Sequence, residues 1–571
     1  MIMLDNPALS LLSVYASHAK QRLIQKTLNA QASQELFLFS LLRAHQSTEL
    51  GQTFNLAAIR TLDDFRQQVP ICSYEFYHHY TNRIANGASQ LLNPDPVTYI
   101  NLTSGSTGAK KLVPVTRHFQ RTLRRADLAS IGFAIAGLKQ HQRSFGKALL
   151  TNNATQQNQT ASGIPFGPVS VGSIRQGKWL VDQIFCVPFR SLEIDDTLAR
   201  HYVCLLFALS NPQLRGWVAN FPMLILRTCQ YLEDYAEPLI HDLRQGTLPE
   251  WLPLDPLSRD RLLRWWRSQR HGSEAHRRHR ADELTAILRA EGRLTPRTAW
   301  PLLSYITTAR GGTSDFYLQR FPDYFGDTPV FGGVYGTAEA TFSVCHELNS
   351  DAGILAIESG FFEFVPVDQW GQQQPKTLLP HELIVGDRYR ILVTSYSGFY
   401  RYDIGDVVEV LGFYNQVPLI VFRHRYGGLL SSTTEKTTEF HVVQVMYQLQ
   451  AEFNIKLEDF CITLSDHEFP ARYLVNIELA DGHTLSNPCA FLQQFEYWLG
   501  QVNMPYRIAR QSQVPPPLLR ILPSKSFSYI RQRQVSRGMF DSQLKIPHIT
   551  EDRAFLADVP VIHEVDLSVS A

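Results

Sequence analysis

Cysteine is scarce in this chain and widely scattered: Cys72, Cys186, Cys204, Cys229, Cys345, Cys461 and Cys489, with no C-x-x-C pair. This spacing does not suit a structural zinc site. Reduced, mostly buried thiols are expected, in keeping with a cytoplasmic setting. Long hydrophobic runs are also missing. The longest weakly polar stretch, Ala129 to Leu138, is far short of a membrane span, and the opening MIMLDNPALSLLSVY meets Asp5 before any useful apolar run. Neither an export signal nor a membrane helix is expected. Net charge is slight too, +1 from 54 basic against 53 acidic residues, so neither nucleic acid nor a polyanion is expected as the main partner. G-x-S-x-G does not occur, which argues against a serine hydrolase, and there is no internal repeat.

What is present is a long chain of ordinary globular composition. At 571 residues and 44% hydrophobic it exceeds one core, so two or more domains are expected. From Asn6 to Arg83 apolar residues recur at helical spacing. Val97 to Leu102 then predicts a strand, Lys111 to Val115 a second one, and Thr116 a cap for a helix starting near Arg117. Residues 200–295 return to helical spacing. The Arg- and His-rich section from Arg261 to Arg293 reads as a solvated helix face with Trp265 and Trp266 packed beneath. His276 and His279 share a helix face without a third ligand nearby, so the metal reading is weak.

Between 328 and 425 strands are expected at Pro329 to Tyr335, Phe361 to Val367, Glu382 to Val385, Tyr389 to Thr394 and Asp406 to Leu411, with a turn at Gly386-Asp387. The polar passage from Arg423 to Thr434 marks a hinge. Beyond it, helices and strands alternate in a small α+β domain: helix 439–452, strands 459–464 and 473–479, helix 488–501, strand 518–522 and helix 526–536.

The strongest chemical signal is Thr103-Ser-Gly-Ser-Thr-Gly-Ala-Lys-Lys111. A phosphate loop needs glycines for close backbone approach, hydroxyls and amides as donors, and a cation. All occur within nine residues. It is not a Walker A sequence, because Lys110 stands where the second glycine should be. Alone, such a loop can equally be a solvent linker. Two companions change that: Tyr335-Gly-Thr-Ala-Glu339 follows a strand, and Tyr402-Asp-Ile-Gly-Asp406 precedes one. One carboxylate can hold Mg2+ and another can accept from ribose hydroxyls.

In this order and with these gaps, the three segments resemble the firefly-luciferase-like adenylate-forming superfamily. Within it, Gly412-Phe-Tyr-Asn415, Glu435-Lys-Thr-Thr-Glu439 and Gln543-Leu-Lys-Ile-Pro547 make the chain similar to a bacterial-type member of the auxin-responsive acyl acid amido synthetase family, over essentially its whole length. The resemblance implies an α/β fold with a large N-terminal adenylation domain, 1–422, of mixed sheets and a β-barrel flanked by helices. A hinge at 423–434 and a smaller mobile α+β domain, 435–571, would follow. It implies that Thr103, Ser104, Gly105, Ser106, Thr107 and Gly108 grip the ATP phosphates, with Lys111 as the loop lysine. Tyr335 would pack on adenine, Gly336 would belong to the same nucleotide site, Thr337 would contact the α-phosphate, Glu339 would bind Mg2+ and Asp406 would hold the ribose. Arg425 would sit near the family's hinge arginine, and Lys545 would match the lysine brought by the mobile domain.

The implied reaction adenylates a carboxylic acid with ATP and then transfers the acyl group to an amino acid or other amine, in a monomer or weak dimer. Acyl transfer to coenzyme A, and a degenerate nucleotide-binding protein, are the alternatives. No Gly-Lys pair occurs after residue 178, which separates the chain from many acyl-CoA ligases. Two departures stand out: the loop is one residue shorter than the plant-type loop, and Asp403 occupies a position where the family usually has Arg. Asp541-Ser542 resembles a phosphopantetheine site only faintly. Phe166, Phe316, Tyr317, Phe325 and Phe331 are candidates for the acyl pocket, although aromatics at such spacings are more often core.

Overall fold

A computed structural model of the chain describes residues 7–104, 110–155, 158–312, 314–426, 428–433, 435–466, 468, 470–511, 513–537, 539 and 544–567. The chain divides into two compact units, Met1–Phe422 and Arg423–Ala571. The first opens with helices α1 (Pro7–Thr27), α2 (Ala30–His45) and α3 (Tyr74–Ala85), as the helical spacing predicts. Strands β1 (Val97–Ser104) and β2 (Lys110–Thr116) form an antiparallel pair, and α4 (Arg117–Gln140) follows. Thr116 caps α4 by accepting from the Phe119 amide at 3.2 Å. Gly132 of α4 lies so close to the backbone of Ala16 that a Cβ there would collide with a carbonyl, which lets α1 and α4 pack face to face.

After β3 (Ala148–Leu150) and β4 (Phe166–Gly167) comes α5 (Thr197–Leu209), which is buried on all sides from Ala199 onward, as a helix apolar around its circumference must be. Strand β5 (Gly216–Val218) precedes α6 (Pro222–Asp234), α7 (Ala236–Gln245), α8 (Pro256–Ser268) and α9 (Glu274–Glu291). Trp265 and Trp266 of α8 pack on Phe207 of α5, beneath an Arg-rich outer face. Strands β6 (Tyr305–Thr307) and β7 (Val330–Phe331) complete a parallel sheet in the order β3-β5-β6-β7.

The sheet-rich part contributes β8 (Val334–Gly336), β9 (Thr341–Cys345), β10 (Gly353–Leu355), β11 (Phe361–Pro366), β12 (Arg388–Thr394), β13 (Tyr402–Tyr414) and β14 (Val417–Arg425). They form one seven-stranded sheet, β11-β12-β13-β14-β10-β9-β8. Phe342, Phe362, Phe364, Ile391 and Val408 from it meet Leu38, Leu41 and Leu42 of α2 in a common core. The strand expected at Glu382 to Val385 is not one. Glu382 ends a 3-10 turn, Pro380–Glu382, where its carboxylate accepts from the Leu379 amide at 2.7 Å. Ile384 and Val385 are exposed, and Gly386 turns the chain at φ +91°.

The second unit carries the short pair β15 (Leu429–Leu430) and β16 (Thr437–Thr438), then α10 (Glu439–Glu452), β17 (Leu457–Leu464), β18 (Tyr473–Leu479), α11 (Pro488–Val502), β19 (Leu518–Leu522), α12 (Ser526–Ser536) and β20 (His563–Asp566). Its sheet runs β17-β18-β19-β20 with one parallel pair, β18 with β19. The predicted alternation is present here; β20 was not anticipated.

Candidate active site

The turn between β8 and β9 places three of the expected residues. Gly336 pairs with Thr341, leaving Thr337 to Ala340 as the connection. Thr337 closes it: its amide donates to the Ala340 carbonyl at 2.8 Å, and its hydroxyl accepts from the Glu339 amide at 3.2 Å. Hydroxyl side chains commonly lock turns in this way. Two distant side chains then pin the turn. Buried Asn101 of β1 donates to the Ala338 carbonyl at 3.1 Å, and Ser395, just after β12, donates to the Glu339 carbonyl at 2.7 Å. The strand leading into the phosphate-loop sequence and the acidic turn are therefore held together.

Glu339 is 3% exposed. Among the described residues its carboxylate accepts no hydrogen bond and makes no ion pair. A buried carboxylate without partners is costly, and native structures normally avoid it. Burial, aided by the Glu339 charge, pushes the Tyr74 phenol above its ordinary range.

Lys111 of β2 donates to the Tyr402 hydroxyl at 3.4 Å and lies 5.5 Å from the centre of the Tyr74 ring. Tyr335 donates to Asp406 at 2.5 Å, and its ring stacks on Phe342 at 5.0 Å. Asp406 is 2% exposed. Asp403, in place of the usual Arg, pairs with Arg390 at 3.0 Å and accepts from the Gly405 amide at 2.9 Å. Burial raises its pKa against the pull of Arg390, with Asp406 adding to the rise and Lys111 opposing it.

These contacts depend on a bulge. Leu392 faces Asp403, but Arg390 faces Val407, so β13 carries two extra residues in this stretch. Gly405, at φ +80°, supplies the left-handed step. In a regular strand, residues 403 and 406 would point to opposite faces. The bulge brings both carboxylates into electrostatic range of each other.

Thr103 and Ser104 end β1 opposite Lys111 and Lys110. Gly105, Ser106, Thr107 and Gly108 lie outside the described residues, as do Asp541, Ser542 and Gln543. Arg425 is the last residue of β14. Lys545 is an exposed residue of the second unit, between buried Leu544 and Ile546. The chain just beyond it is stitched to β17, where Ile462 donates to the His548 carbonyl at 2.9 Å.

Asn101, Ser395, Tyr402 and Arg390 were not anticipated. Asn101 is a polar residue inside an apolar strand, and Tyr402 opens the motif that contains Asp406, so both carried a readable signal. Among the acyl-pocket candidates, Phe316, Tyr317, Phe325 and Phe331 are buried core residues and Phe166 is half-buried. His276 lies 3.0 Å from the Ser210 carbonyl and His279 lies 3.2 Å from Glu283. Among the described residues no three metal-ligating side chains cluster, and no helix is long and apolar enough to cross a membrane. All seven cysteines are free and only Cys489 is exposed.

Comparison with known proteins bears on the family and the fold. The GH3 family N-terminal domain matches residues 19–330, its central domain 353–425 and its C-terminal domain 440–554. Indole-3-acetic acid-amido synthetase GH3.17 of Arabidopsis thaliana is 25% identical, with 91% of each chain covered. Among solved structures, GH3.15 acyl acid amido synthetase superposes with a TM-score of 0.83 at 23% identity, over 95% of this chain and 96% of that one. A 2-hydroxyisobutyryl-CoA ligase in its postadenylation state gives 0.52 at 11% identity, over 92% and 89%. The last two similarities establish the fold: a mixed α/β chain with a large N-terminal and a smaller C-terminal domain. With all three of its domains matched in order, the chain belongs to the GH3 family.

Proposed function

We propose that this chain is an ATP- and Mg2+-dependent acyl acid amido synthetase. It joins the carboxylate of an acid to the α-phosphorus of ATP with loss of pyrophosphate, then passes the acyl group to an amino acid or other amine with loss of AMP. The observation that carries this reading is the Glu339 carboxylate, buried and without a partner among the described residues, on a turn tied to the phosphate-loop strand, in a chain of the GH3 family. Relatives named as indole-3-acetic acid-amido synthetases support it.

Thr103, Ser104 and the Gly105 to Gly108 loop hold the phosphates in this reading, and Lys111 reaches them from between Tyr74 and Tyr402. Thr337 orients the α-phosphate, Tyr335 and Gly336 form the adenine face, and Asp406 accepts from the ribose. Glu339 fits Mg2+ as a hard oxygen ligand with no competing partner among the described residues. One carboxylate suffices, because this ion keeps water and phosphate oxygens in its remaining positions. When bound, Mg2+ supplies charge neutralisation across the phosphates. Lys545, carried by a mobile C-terminal domain that turns about residues 423–434 and Arg425, adds a second cation. Catalysis is then mainly positioning and charge stabilisation.

Asp403 and the short loop set the chain apart from plant-type members; on them rests its placement as bacterial-type. We take it to act in the cytoplasm as a monomer or weak dimer. The test is incubation with ATP, Mg2+, a panel of acids that includes indole-3-acetic acid, and either amino acids or coenzyme A, read as pyrophosphate release and product mass. Acid-dependent pyrophosphate and an amide are expected. A thioester alone would overturn the reading in favour of an acyl-CoA ligase.

A further inference from the structure

Arg401 immediately precedes β13 and has φ +41°, a left-handed conformation rare for a long side chain. It is 4% exposed, and its guanidinium is engaged on every side. Nε donates to Glu363 Oε2 at 2.9 Å and a terminal nitrogen to Oε1 at 3.2 Å. The other terminal nitrogen donates to the carbonyls of Arg66 at 3.1 Å and Val69 at 3.0 Å. Glu363, on β11 and 1% exposed, also accepts from Thr377 at 2.6 Å and from Arg66 at 3.2 Å. The Arg401 amide donates to the Thr394 hydroxyl at 2.8 Å, and its carbonyl accepts from the Cys72 amide at 3.3 Å.

Stability alone does not account for this. Apolar packing generally serves a core as well as a buried ion pair, and a left-handed step is most easily made by glycine. What the arrangement fixes is direction. From Arg401 the chain enters Tyr402, which meets Lys111, and Asp403, whose amide donates to the Cys72 carbonyl at 2.9 Å. It leaves through left-handed Gly405 into Asp406. The two-residue slip between Asp403 and Val407 thus has one left-handed residue just before it and one within it, and the one that is not glycine is held by a buried ion pair.

We propose that Arg401 and Glu363 form a positioning clamp for the nucleotide, setting the angle at which β13 begins and so the placement of the Asp406 carboxylate against the ribose. This rests on the reading of Asp406 given above. Neither residue touches substrate.

The experiment is the preference for ATP over 2′-deoxy-ATP and 3′-deoxy-ATP in acid-dependent pyrophosphate release, taken as a ratio of kcat/KM values, which cancels any inactive fraction. The intact enzyme should prefer ATP to at least one of them by roughly 10- to 100-fold, the factor carried by a hydrogen bond to a charged acceptor. Asp406→Ala should abolish that preference. Glu363→Gln and Arg401→Lys should each lose most of it, with the KM for ATP raised more than kcat is lowered. If Asp406→Ala loses the preference while both clamp variants keep it, the clamp is overturned and the ribose assignment stands. A preference that survives in Asp406→Ala, or is absent from the intact enzyme, overturns the ribose assignment and the clamp with it. Should a clamp variant not fold, Thr377→Val, which removes one hydrogen bond from Glu363, carries the same test with a smaller loss.

Discussion

Two buried carboxylates, one from each unit, are treated in opposite ways. Glu339 in the first accepts nothing from the described protein. In the second, Glu435 is 0% exposed and accepts from the amides of Ser432 at 2.5 Å and Thr433 at 3.0 Å, from the Thr433 hydroxyl at 2.9 Å and from the Tyr473 hydroxyl at 3.0 Å. Glu478 caps the start of α12 through the Lys525 and Phe527 amides, and Asp459 pairs with Arg531 at 2.8 Å. Desolvating a carboxylate is expensive, so a fully satisfied one is a brace of the architecture. One left open at a hairpin turn is placed for something that arrives with its own charge.

The sharpest way to break this comparison is to neutralise one carboxylate of each kind. Glu339→Gln should slow acid-dependent pyrophosphate release by about 100- to 1,000-fold while the unfolding temperature holds or rises, because a buried carboxylate with no partner among the described residues has been neutralised. Glu435→Gln should do the reverse. Activity per folded molecule should persist, and the second unit should lose about 2 kcal/mol, several degrees in its melting temperature. Similar thermal losses in both variants would erase the distinction.

A smaller effect is expected at Lys545, an exposed residue of the second unit. Lys545→Ala should lower adenylate formation roughly 10- to 100-fold, with ATP affinity by calorimetry nearly unchanged. Unchanged adenylation would remove it from the site.

The smallest effect concerns pH and has opposite signs in the two units. Burial, with a lesser push from His118, holds the His45 imidazole down to about 4 against an ordinary 6.5. Between those values the unfolded chain binds the proton more tightly, so the first unit should lose stability as pH falls through that window. Burial pushes Glu478 up to about 7 from an ordinary 4.5, outweighing its two amide donors. There the folded form binds the proton more tightly, so the second unit should lose stability as pH rises from 4.5 to 7. Hydrogen exchange resolved by segment at pH 5 and pH 7 would show this, and His45→Gln and Glu478→Gln should each flatten the slope of their own unit.

The parts of the molecule legible in the sequence are those written in neighbouring residues. The β1-β2 hairpin, the Thr116 cap and the longer elements of the second unit follow from local alternation and capping, and Glu339 and Asp406 from motifs at the ends of predicted strands. Strands of two or three residues, such as β3, β5 and β7, owe their existence to pairing partners far along the chain, and no local period announces them. Pro418 and the polar end at Arg423 to Arg425 hid β14, while exposed Ile384 and Val385 imitated a strand. The contact of Lys111 with Tyr402 and the ion pair of Arg401 with Glu363 join residues remote in sequence, so their chemistry became visible only once the sheet was assembled.

One labelling experiment tests the central claim most directly. An acid substrate carrying 18O in its carboxylate is turned over with ATP, Mg2+ and an amine, and the nucleotide and phosphate products are weighed by mass spectrometry. If the carboxylate attacks the α-phosphorus and the amine then expels AMP, one 18O atom enters AMP per amide formed, and none enters pyrophosphate. Label in inorganic phosphate, or amide formed with unlabelled AMP, would contradict adenylation.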